Sequence, residues 1–383
     1  GGEGAGGGTI IFPVPGGGGS TVEVPVLAPQ QLWPTLGSLA RGRYSHSATL
    51  LAQGQVLVAG GTVAGTTLTN RAELYIPSTQ SFVATAGTMV VARSNHVAVR
   101  LADGRVLLAG GYVESPLGML SVLDRAEVFD PVTGTFSEVG RMLRPRVDAA
   151  AALLPDGRVL VTGGSNLVGG LLLDHDDAEA FDPVSGSFAP LAARMLHTRA
   201  THLLLPLGDG SLLLAGGSDS DARCERFEPG SDAFVPFSPA GTGGPGYNAC
   251  GATLASGAAL VGGGAGSNAV FYAPGDGSAL RDTSSPLGKN RVFASASRIR
   301  PTVVLVVGGY DFGDGGRLLS GCELLVEDGS TPGAGTYPTT LVFPRGMAAH
   351  TATRLGDGRI LFVGGIGADV AQTGQASAYL LTP

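Results

Sequence analysis

Arginine and histidine recur in this sequence three residues apart, and they are the first side chains that could do chemistry. The R-x-x-H pair occurs at Arg43 and His46 and again at Arg93 and His96. Three imidazoles can hold zinc or copper when their ring nitrogens come within about 2.0 to 2.1 Å of one ion. The candidates for such a site are His46, His96 and His350. Alternatively, each pair hydrogen-bonds neighbouring strands or loops, and the sequence leaves both interpretations open.

Acidic residues form a second group that could bind a metal. Asp174, Asp176 and Asp177 follow a Gly-rich stretch. Carboxylates in such loops suit calcium, which takes six to eight oxygen ligands. The sequence contains no D-x-D-x-D-G type of ligand loop, so solvated loop acids and a calcium site both remain open. We assign no cofactor, and no catalytic residue stands out from the repeat described next.

These side chains belong to an internal repeat. A diglycine ends an apolar run seven times, at intervals of 45 to 56 residues. Apolar runs of four to six residues, bounded by Gly, Pro and Asp, predict about four short strands in each repeat. The second glycines of the seven pairs are Gly61, Gly111, Gly164, Gly217, Gly264, Gly309 and Gly365.

The repeat resembles that of the kelch family, which has a diglycine after the second strand, Tyr or Phe in the third and Trp or Phe in the fourth. RVLLAGG, AEVFDP and GTFSEV carry these features here, and the resemblance covers residues 24–383. It implies an all-β fold, a seven-bladed kelch-type β-propeller in which four-stranded sheets pack around a central axis.

The repeat also predicts how the ring closes. The chain ends at AYLLTP, a third strand without a fourth, whereas Trp33 stands 10 residues before Arg43 with no earlier strand in its own repeat. We expect QQLWPTLGSL to supply the outer strand of the last blade, with Trp33 packed in the slot of the fourth-strand aromatic, and this pairing removes an open sheet edge. The predicted domains are a Gly-rich tail or tether at 1–23 and a single propeller at 24–383, in which 24–42 closes blade 7. The predicted blades span 43–92, 93–145, 146–198, 199–245, 246–290, 291–346 and 347–383.

Composition narrows the classes of partner. The formal net charge of −7 and the scattered arginines give no basic stripe, so we do not expect nucleic acid. No apolar run approaches the ~20 residues needed to cross a bilayer. A single lysine, Lys289, against 23 arginines indicates a GC-rich bacterial genome. Because the chain begins with GGEGAGGG, we expect a trimmed, exported protein at the cell surface, in the periplasm or outside the cell, with a lipid anchor upstream of residue 1 as one option.

The three cysteines are too few and too odd in number for a disulfide framework. Cys224 and Cys322 fill a third-strand slot that holds Ala72 in the first repeat. A small buried residue is wanted there, so we predict three free thiols, buried at Cys224 and Cys322.

Irregular loops between the second and third strands contrast with the repetitive strands, and such loops usually carry binding. Apolar residues there, and in the N-terminal segment, either fold back on the propeller or form a protein-binding patch. The candidate contact residues are Leu117, Met119, Leu120, Leu167, Leu171, Leu172, Ile10, Ile11 and Phe12. The predicted function is a non-catalytic protein-binding or assembly scaffold.

The alternative comes from the resemblance. The kelch family also includes oxidases of the galactose-oxidase type, whose propeller carries copper with Tyr and His ligands and a Tyr–Cys cross-link. This implies a copper-radical or sugar-modifying enzyme using the loop face. Tyr112 and Tyr310, each directly after a diglycine, are the nearest candidates for tyrosine ligands. The cysteines, in strand cores or in the degenerate blade 5, weigh against that site.

Overall fold

The computed structural model describes most of the chain. The described residues are 9–13, 21–25, 31–63, 67–115, 118–217, 224–236, 245–273, 280–283, 285–313, 315–328, 334–367 and 374–383. Their regular elements are β-strands, and they include no helix long and apolar enough to cross a membrane.

Seven four-stranded antiparallel sheets, here called blades 1 to 7, form the body of the molecule. Blade 1 contains Ser47–Leu50, Val56–Ala59, Ala72–Ile76 and Ser81–Ala84. Blade 2 contains Val97–Arg100, Val106–Ala109, Ala126–Asp130 and Thr135–Glu138. Blade 3 contains Ala150–Leu153, Val159–Thr162, Ala178–Asp182 and Ser187–Pro190. Blade 4 contains Leu203–Pro206, Leu212–Ala215, Glu225–Glu228 and Ala233–Pro236.

The remaining blades follow the same plan. Blade 5 contains Ala249–Thr253, Ala259–Gly263, Ala269–Tyr272 and Leu280–Asp282. Blade 6 contains Ser295–Arg300, Val303–Val307, Gly321–Glu327 and Ala334–Val342. Blade 7 contains Thr351–Arg354, Ile360–Val363 and Ala378–Leu381, and its fourth strand is Leu32–Pro34 from the start of the chain.

The blades close into a ring. The first strand of each blade contacts the first strand of the next, and Thr351–Arg354 of blade 7 contacts Ser47–Leu50 of blade 1. The second strands are buried along their whole length, because each sheet packs on both faces against its neighbours. The predicted fold class, an all-β propeller closed by an N-terminal strand, is confirmed.

Both glycines of each diglycine pair have a left-handed backbone, which favours glycine at the end of the second strand. Gly60 and Gly61 have φ values of 66° and 94°, in the left-handed region. A Cβ on Gly60 would lie 2.6 Å from the carbonyl oxygen of Arg93 in the next blade. The repeat therefore uses the glycine pair to let adjacent blades approach.

The closing strand differs in register from our prediction for Trp33. Leu32 pairs with Leu381, the position where Tyr75 pairs with Phe82 in blade 1, while Trp33 pairs with Leu380. Trp33 is 58 % exposed, so its predicted packing in the last blade is wrong. Spacing alone missed this because side chains alternate between faces, and one residue of slip turns a side chain to the other face.

A hairpin at the N-terminus crosses the predicted boundary between tail and propeller. Thr9–Pro13 pairs with Thr21–Pro25. Val24 is buried in a cluster with Ile299 and Val303 of blade 6. Val22, which lies within the predicted tether, packs against the same cluster, so this part of the tether contacts the propeller.

Short strands in the loops between second and third strands extend several blades at one end of the ring. Blade 2 carries the hairpin Tyr112–Glu114 and Leu120–Val122, and blade 3 carries Ser165–Val168 and Leu171–Asp174. Blade 6 carries Tyr310–Asp311 and Arg317–Leu318, and blade 1 carries a three-stranded sheet of Arg43–Tyr44, Thr62–Val63 and Thr67–Leu68.

Candidate functional site

The repeated arginines are buried partners of glutamates. Each lies just before the first strand of its blade and is at most 4 % exposed. Its guanidinium forms an ion pair with a glutamate of the third strand in the same blade. The pairs are Arg43–Glu73 at 2.6 Å, Arg93–Glu127 at 2.6 Å, Arg146–Glu179 at 2.8 Å, Arg199–Glu225 at 2.7 Å and Arg291–Glu323 at 2.8 Å.

Each pair ties three segments of a blade together. In blade 2, Arg93 Nη1 donates to the carbonyl of Gly110, the first glycine of the diglycine. Glu127 accepts the backbone N–H of Val90, in the crossover from blade 1. Burial lowers the pKa of Arg93, while the attraction to Glu127 opposes that shift. The arginines therefore stabilise the fold and are not free to bind a ligand.

Our sequence prediction omitted these glutamates, although one signal could have found them. The five blades with arginine all have glutamate directly after a small residue at or next to the start of the third strand. Two blades lack both residues. At the arginine and glutamate positions, blade 5 has Gly246 and Val270, and blade 7 has Met347 and Tyr379. The two residue types thus change together between repeats of one chain, which indicates contact.

The histidines link neighbouring blades. His46 Nε2 lies 3.1 Å from Thr351 Oγ1 of blade 7, and His96 Nε2 lies 2.9 Å from Ser47 Oγ of blade 1. His350 Nε2 is equally engaged by a hydroxyl of blade 6, at 2.7 Å. Burial lowers the pKa of His96 to about 3 and that of His350 to about 4, so both are neutral.

The predicted metal candidates do not form a ligand set. The described residues contain no group of three or more His, Cys, Asp or Glu side chains that could hold a metal ion. Asp176 forms an ion pair with Arg194, and Asp177 contacts Arg144 and Arg146 at 2.8 and 2.7 Å. Asp174 accepts a hydrogen bond from Ser165 Oγ at 2.6 Å.

A cavity of about 280 Å³ opens on the axis, at the end of the ring that carries the histidines. Every blade contributes two consecutive residues to its lining, and the first of each two has a left-handed backbone. The seven first residues, with their φ values, are Ser45 (51°), Asn95 (56°), Asp148 (56°), Thr201 (57°), Asn248 (55°), Phe293 (59°) and Ala349 (52°). The repeat pattern did not predict these seven residues, since their side chains differ from blade to blade.

Polar, acidic and aromatic side chains all line this cavity. Asn95 Nδ2 donates to Asp148 Oδ1 at 2.6 Å. Burial raises the pKa of Asp148, which the hydrogen bond from Asn95 partly offsets. Thr201 Oγ1 is buried without a hydrogen-bond partner in the described part of the chain. Phe293 is 38 % exposed.

Apolar side chains stand in solvent on the hairpins of blades 2 and 3, which contact each other. We call this set the leucine ridge; its exposed fractions are Met119 67 %, Leu120 51 %, Val168 52 %, Leu171 68 %, Leu172 61 % and Leu173 50 %. The side chains thus do not fold back on the propeller.

Other predicted contact residues lie elsewhere. Leu167 is half-buried, and Ile11 of the N-terminal hairpin is 62 % exposed. Leu117 falls outside the described residues, as do the side chains of Ile10 and Phe12.

The residues present do not fit the copper site implied by the resemblance. Cys224, Cys250 and Cys322 are free and buried, and burial raises the pKa of each thiol to about 12. Tyr310 is half-buried, with its ring 4.7 Å from that of Phe312. Tyr112 is half-buried in the blade 2 hairpin.

No family model and no curated protein matches this chain. Among solved structures, it is similar to a fungal alcohol oxidase of the AA5 family in complex with copper, with 19 % identity and a TM-score of 0.65 over 92 % of this chain and 75 % of that one. It is also similar to YjhT, with 14 % identity and a TM-score of 0.58 over 78 % of this chain and 99 % of that one. At such identities the similarity shows the fold alone, and the chain is a β-propeller.

Proposed function

We propose that this protein is a non-catalytic scaffold that binds another protein through the leucine ridge. The observation that carries the proposal is the exposure of six large aliphatic side chains on two adjoining hairpins. Fully burying one such side chain contributes about 1.5–3 kcal/mol relative to leaving it exposed. Closing the ring does not require the ridge, because the seven blades are complete without the hairpins.

Ion pairs at the base of the hairpins indicate the polarity of the contact surface that we propose for the partner. Arg141 forms an ion pair with Asp124 at 3.1 Å, below the blade 2 hairpin. Asp176 and Arg194 form a similar pair below the blade 3 hairpin. An apolar centre with a polar rim is the composition of protein interfaces. Because each of these two ion pairs is neutral, the partner we propose is a protein whose contact surface is mainly aliphatic or aromatic.

Site-specific photo-crosslinking in the native host tests the proposal. A photoreactive amino acid replaces Leu172 on the ridge or, as a control, Val184, which is 95 % exposed in a turn of blade 3. We expect a defined adduct with another protein from position 172 and none from 184. Identical adducts from both positions, or an adduct between two copies of this chain, would contradict the proposal.

A binding measurement with the purified partner then separates the ridge from the rest of the surface. Leu171→Ser with Leu172→Ser should weaken Kd about tenfold or more, which corresponds to about 1.4 kcal/mol. The control pair, Val132→Ser with Val184→Ser, removes two valines that are 86 % and 95 % exposed in turns of blades 2 and 3, and it should leave Kd unchanged. Equal affinities of the two double variants would refute the ridge as the contact.

The copper-oxidase alternative has one point in its favour, the similarity to a copper alcohol oxidase. We do not adopt it, because the described residues bring together no three His, Cys, Asp or Glu side chains that could hold a metal ion. Hydroxyl groups of neighbouring blades already engage the Nε2 atoms of His46, His96 and His350.

A further inference from the structure

The backbone around the axial cavity forms a chain of hydrogen bonds from blade to blade. In each link, the amide of a left-handed residue donates to the carbonyl of the equivalent residue in the preceding blade. The links are Asn95 to Ser45, Asp148 to Asn95, Thr201 to Asp148, Asn248 to Thr201, Ala349 to Phe293 and Ser45 to Ala349, at 2.8 to 3.2 Å. Six of the seven possible links are therefore made.

The seventh link is open. Within the described residues, the amide of Phe293 makes no hydrogen bond to the carbonyl of Asn248, and neither group has another partner. Backbone groups beside a cavity are normally paired with protein, water or ligand. The open link therefore offers one donor and one acceptor to a molecule in the cavity.

Phe293 marks the same place by its conformation. A bulky side chain with a left-handed backbone is a true outlier, and such strain clusters at ligand sites. The equivalent slots of the other blades hold Ser, Asn, Asp, Thr or Ala, which are smaller. The break in the repeat places an aromatic ring on the cavity lining, beside the open link.

Asp148 supplies the charge. It is the one acidic residue among the described residues that line the cavity, and the four lining histidines are held neutral by burial. Asn95 engages its Oδ1, and the described part of the chain gives Oδ2 no hydrogen-bond partner. The buried arginines are already neutralised by their glutamates. The cavity thus has negative character, an aromatic surface and unpaired backbone groups.

We propose that the axial cavity binds a small primary amine that also carries a hydroxyl or carbonyl oxygen. The ammonium pairs with Asp148, its carbon chain contacts the ring of Phe293, and its oxygen accepts from the open Phe293 amide. A cavity of about 280 Å³ limits the ligand to a few carbon atoms. This site is separate from the leucine ridge, so it does not depend on the proposed protein binding.

Calorimetric titration of the intact protein with 4-amino-1-butanol tests the proposal, and 1,4-butanediol is the neutral control probe. We expect saturable binding of the amine with a Kd in the millimolar range. The Kd of the diol should be at least about tenfold higher. Absence of saturable amine binding would overturn the proposal, as would equal affinity for the diol, which would indicate a polyol site.

Three variants locate the site. Asp148→Asn should weaken amine binding about tenfold or more; asparagine suits this backbone, because it fills the same slot in blades 2 and 5. Asp103→Asn removes one negative charge from a turn between first and second strands and should leave Kd unchanged. Equal losses from the two variants would show a net-charge effect and refute the site.

Phe293→Asn keeps the proposal testable if Asp148→Asn fails to fold. It introduces the asparagine that blades 2 and 5 have at this position, which suits the left-handed backbone, so we expect a raised Tm. Because it also removes the aromatic contact, we expect weaker amine binding. Unchanged amine affinity in a folded Phe293→Asn protein would refute the role of the ring.

Discussion

Blade 2 and blade 7 contain the same four-stranded sheet but hold it together with different chemistry. Blade 2 uses the buried pair Arg93–Glu127, with both side chains fully buried. Blade 7 has Met347 and Tyr379 in the two slots and completes its sheet with Leu32–Pro34. A buried ion pair can be replaced by apolar residues without loss of fold. A polar motif repeated in every blade of this kind therefore stabilises the fold, whereas we expect ligand binding where the repeat breaks.

Removing the closing strand should have the largest effect. Deletion of residues 1–40 takes the fourth strand from blade 7 and also Leu39, which is buried against blades 1 and 7. We expect loss of the cooperative thermal transition seen for the full chain. The control deletion, 1–30, removes the N-terminal hairpin with Val24 but keeps the closing strand, and should remain folded. Equal unfolding free energies for the two deletions would show that closure contributes little.

Breaking one buried ion pair should have the second-largest effect on stability. Glu127→Ala leaves Arg93 buried and uncompensated, so the free energy of unfolding in urea should fall by about 3–5 kcal/mol. Glu138→Ala, in the same blade, breaks a half-exposed contact with Arg125 at 3.5 Å and should cost less than about 1 kcal/mol. A similar loss of unfolding free energy in both variants would show that the buried ion pair of Glu127 does not stabilise the blade.

Copying blade 7 into blade 2 sharpens the comparison. The double variant Arg93→Met with Glu127→Tyr removes both charges, so we expect it to be more stable than Glu127→Ala by about 1–3 kcal/mol. Some loss remains against the native protein, because the carbonyl of Gly110 and the amide of Val90 lose their partners. A double variant less stable than the single one would show that the blade needs the charges themselves.

The histidines should make stability depend on pH. Burial lowers the pKa of His202 to about 3, against 6.5 for a free histidine. The unfolded state therefore binds the proton first, and the contribution of neutral His202 is present above pH 6.5 and lost as the pH falls toward 3. His202→Ala, which copies the alanine of blade 3, should lose less stability between pH 7 and pH 5, by about 2 kcal/mol. Parallel stability curves for the two proteins would contradict this.

The sequence predicted the propeller fold better than the lining of the axial cavity. Diglycines, alternating apolar runs and the unpaired last strand determine a ring, because each depends on local backbone rules. The cavity lining was not predictable in this way. Asp148 and Phe293 share only a left-handed backbone conformation, which their residue types do not reveal, and the open link depends on how blades 5 and 6 approach each other.

Single substitutions in the closing strand should have the smallest effect on stability, and they test the register of that strand most directly. Leu32 occupies the slot of Phe82 and packs against the blade 6–7 cluster, whereas Trp33 faces solvent. Leu32→Ala should therefore destabilise the protein more than Trp33→Ala, although tryptophan is the larger residue. For the exposed tryptophan we expect about 0.5 kcal/mol in urea unfolding, since surface substitutions seldom cost more. If Trp33→Ala instead cost several kcal/mol, the strand would be shifted by one residue, with Trp33 inside blade 7 as its spacing from Arg43 first suggested.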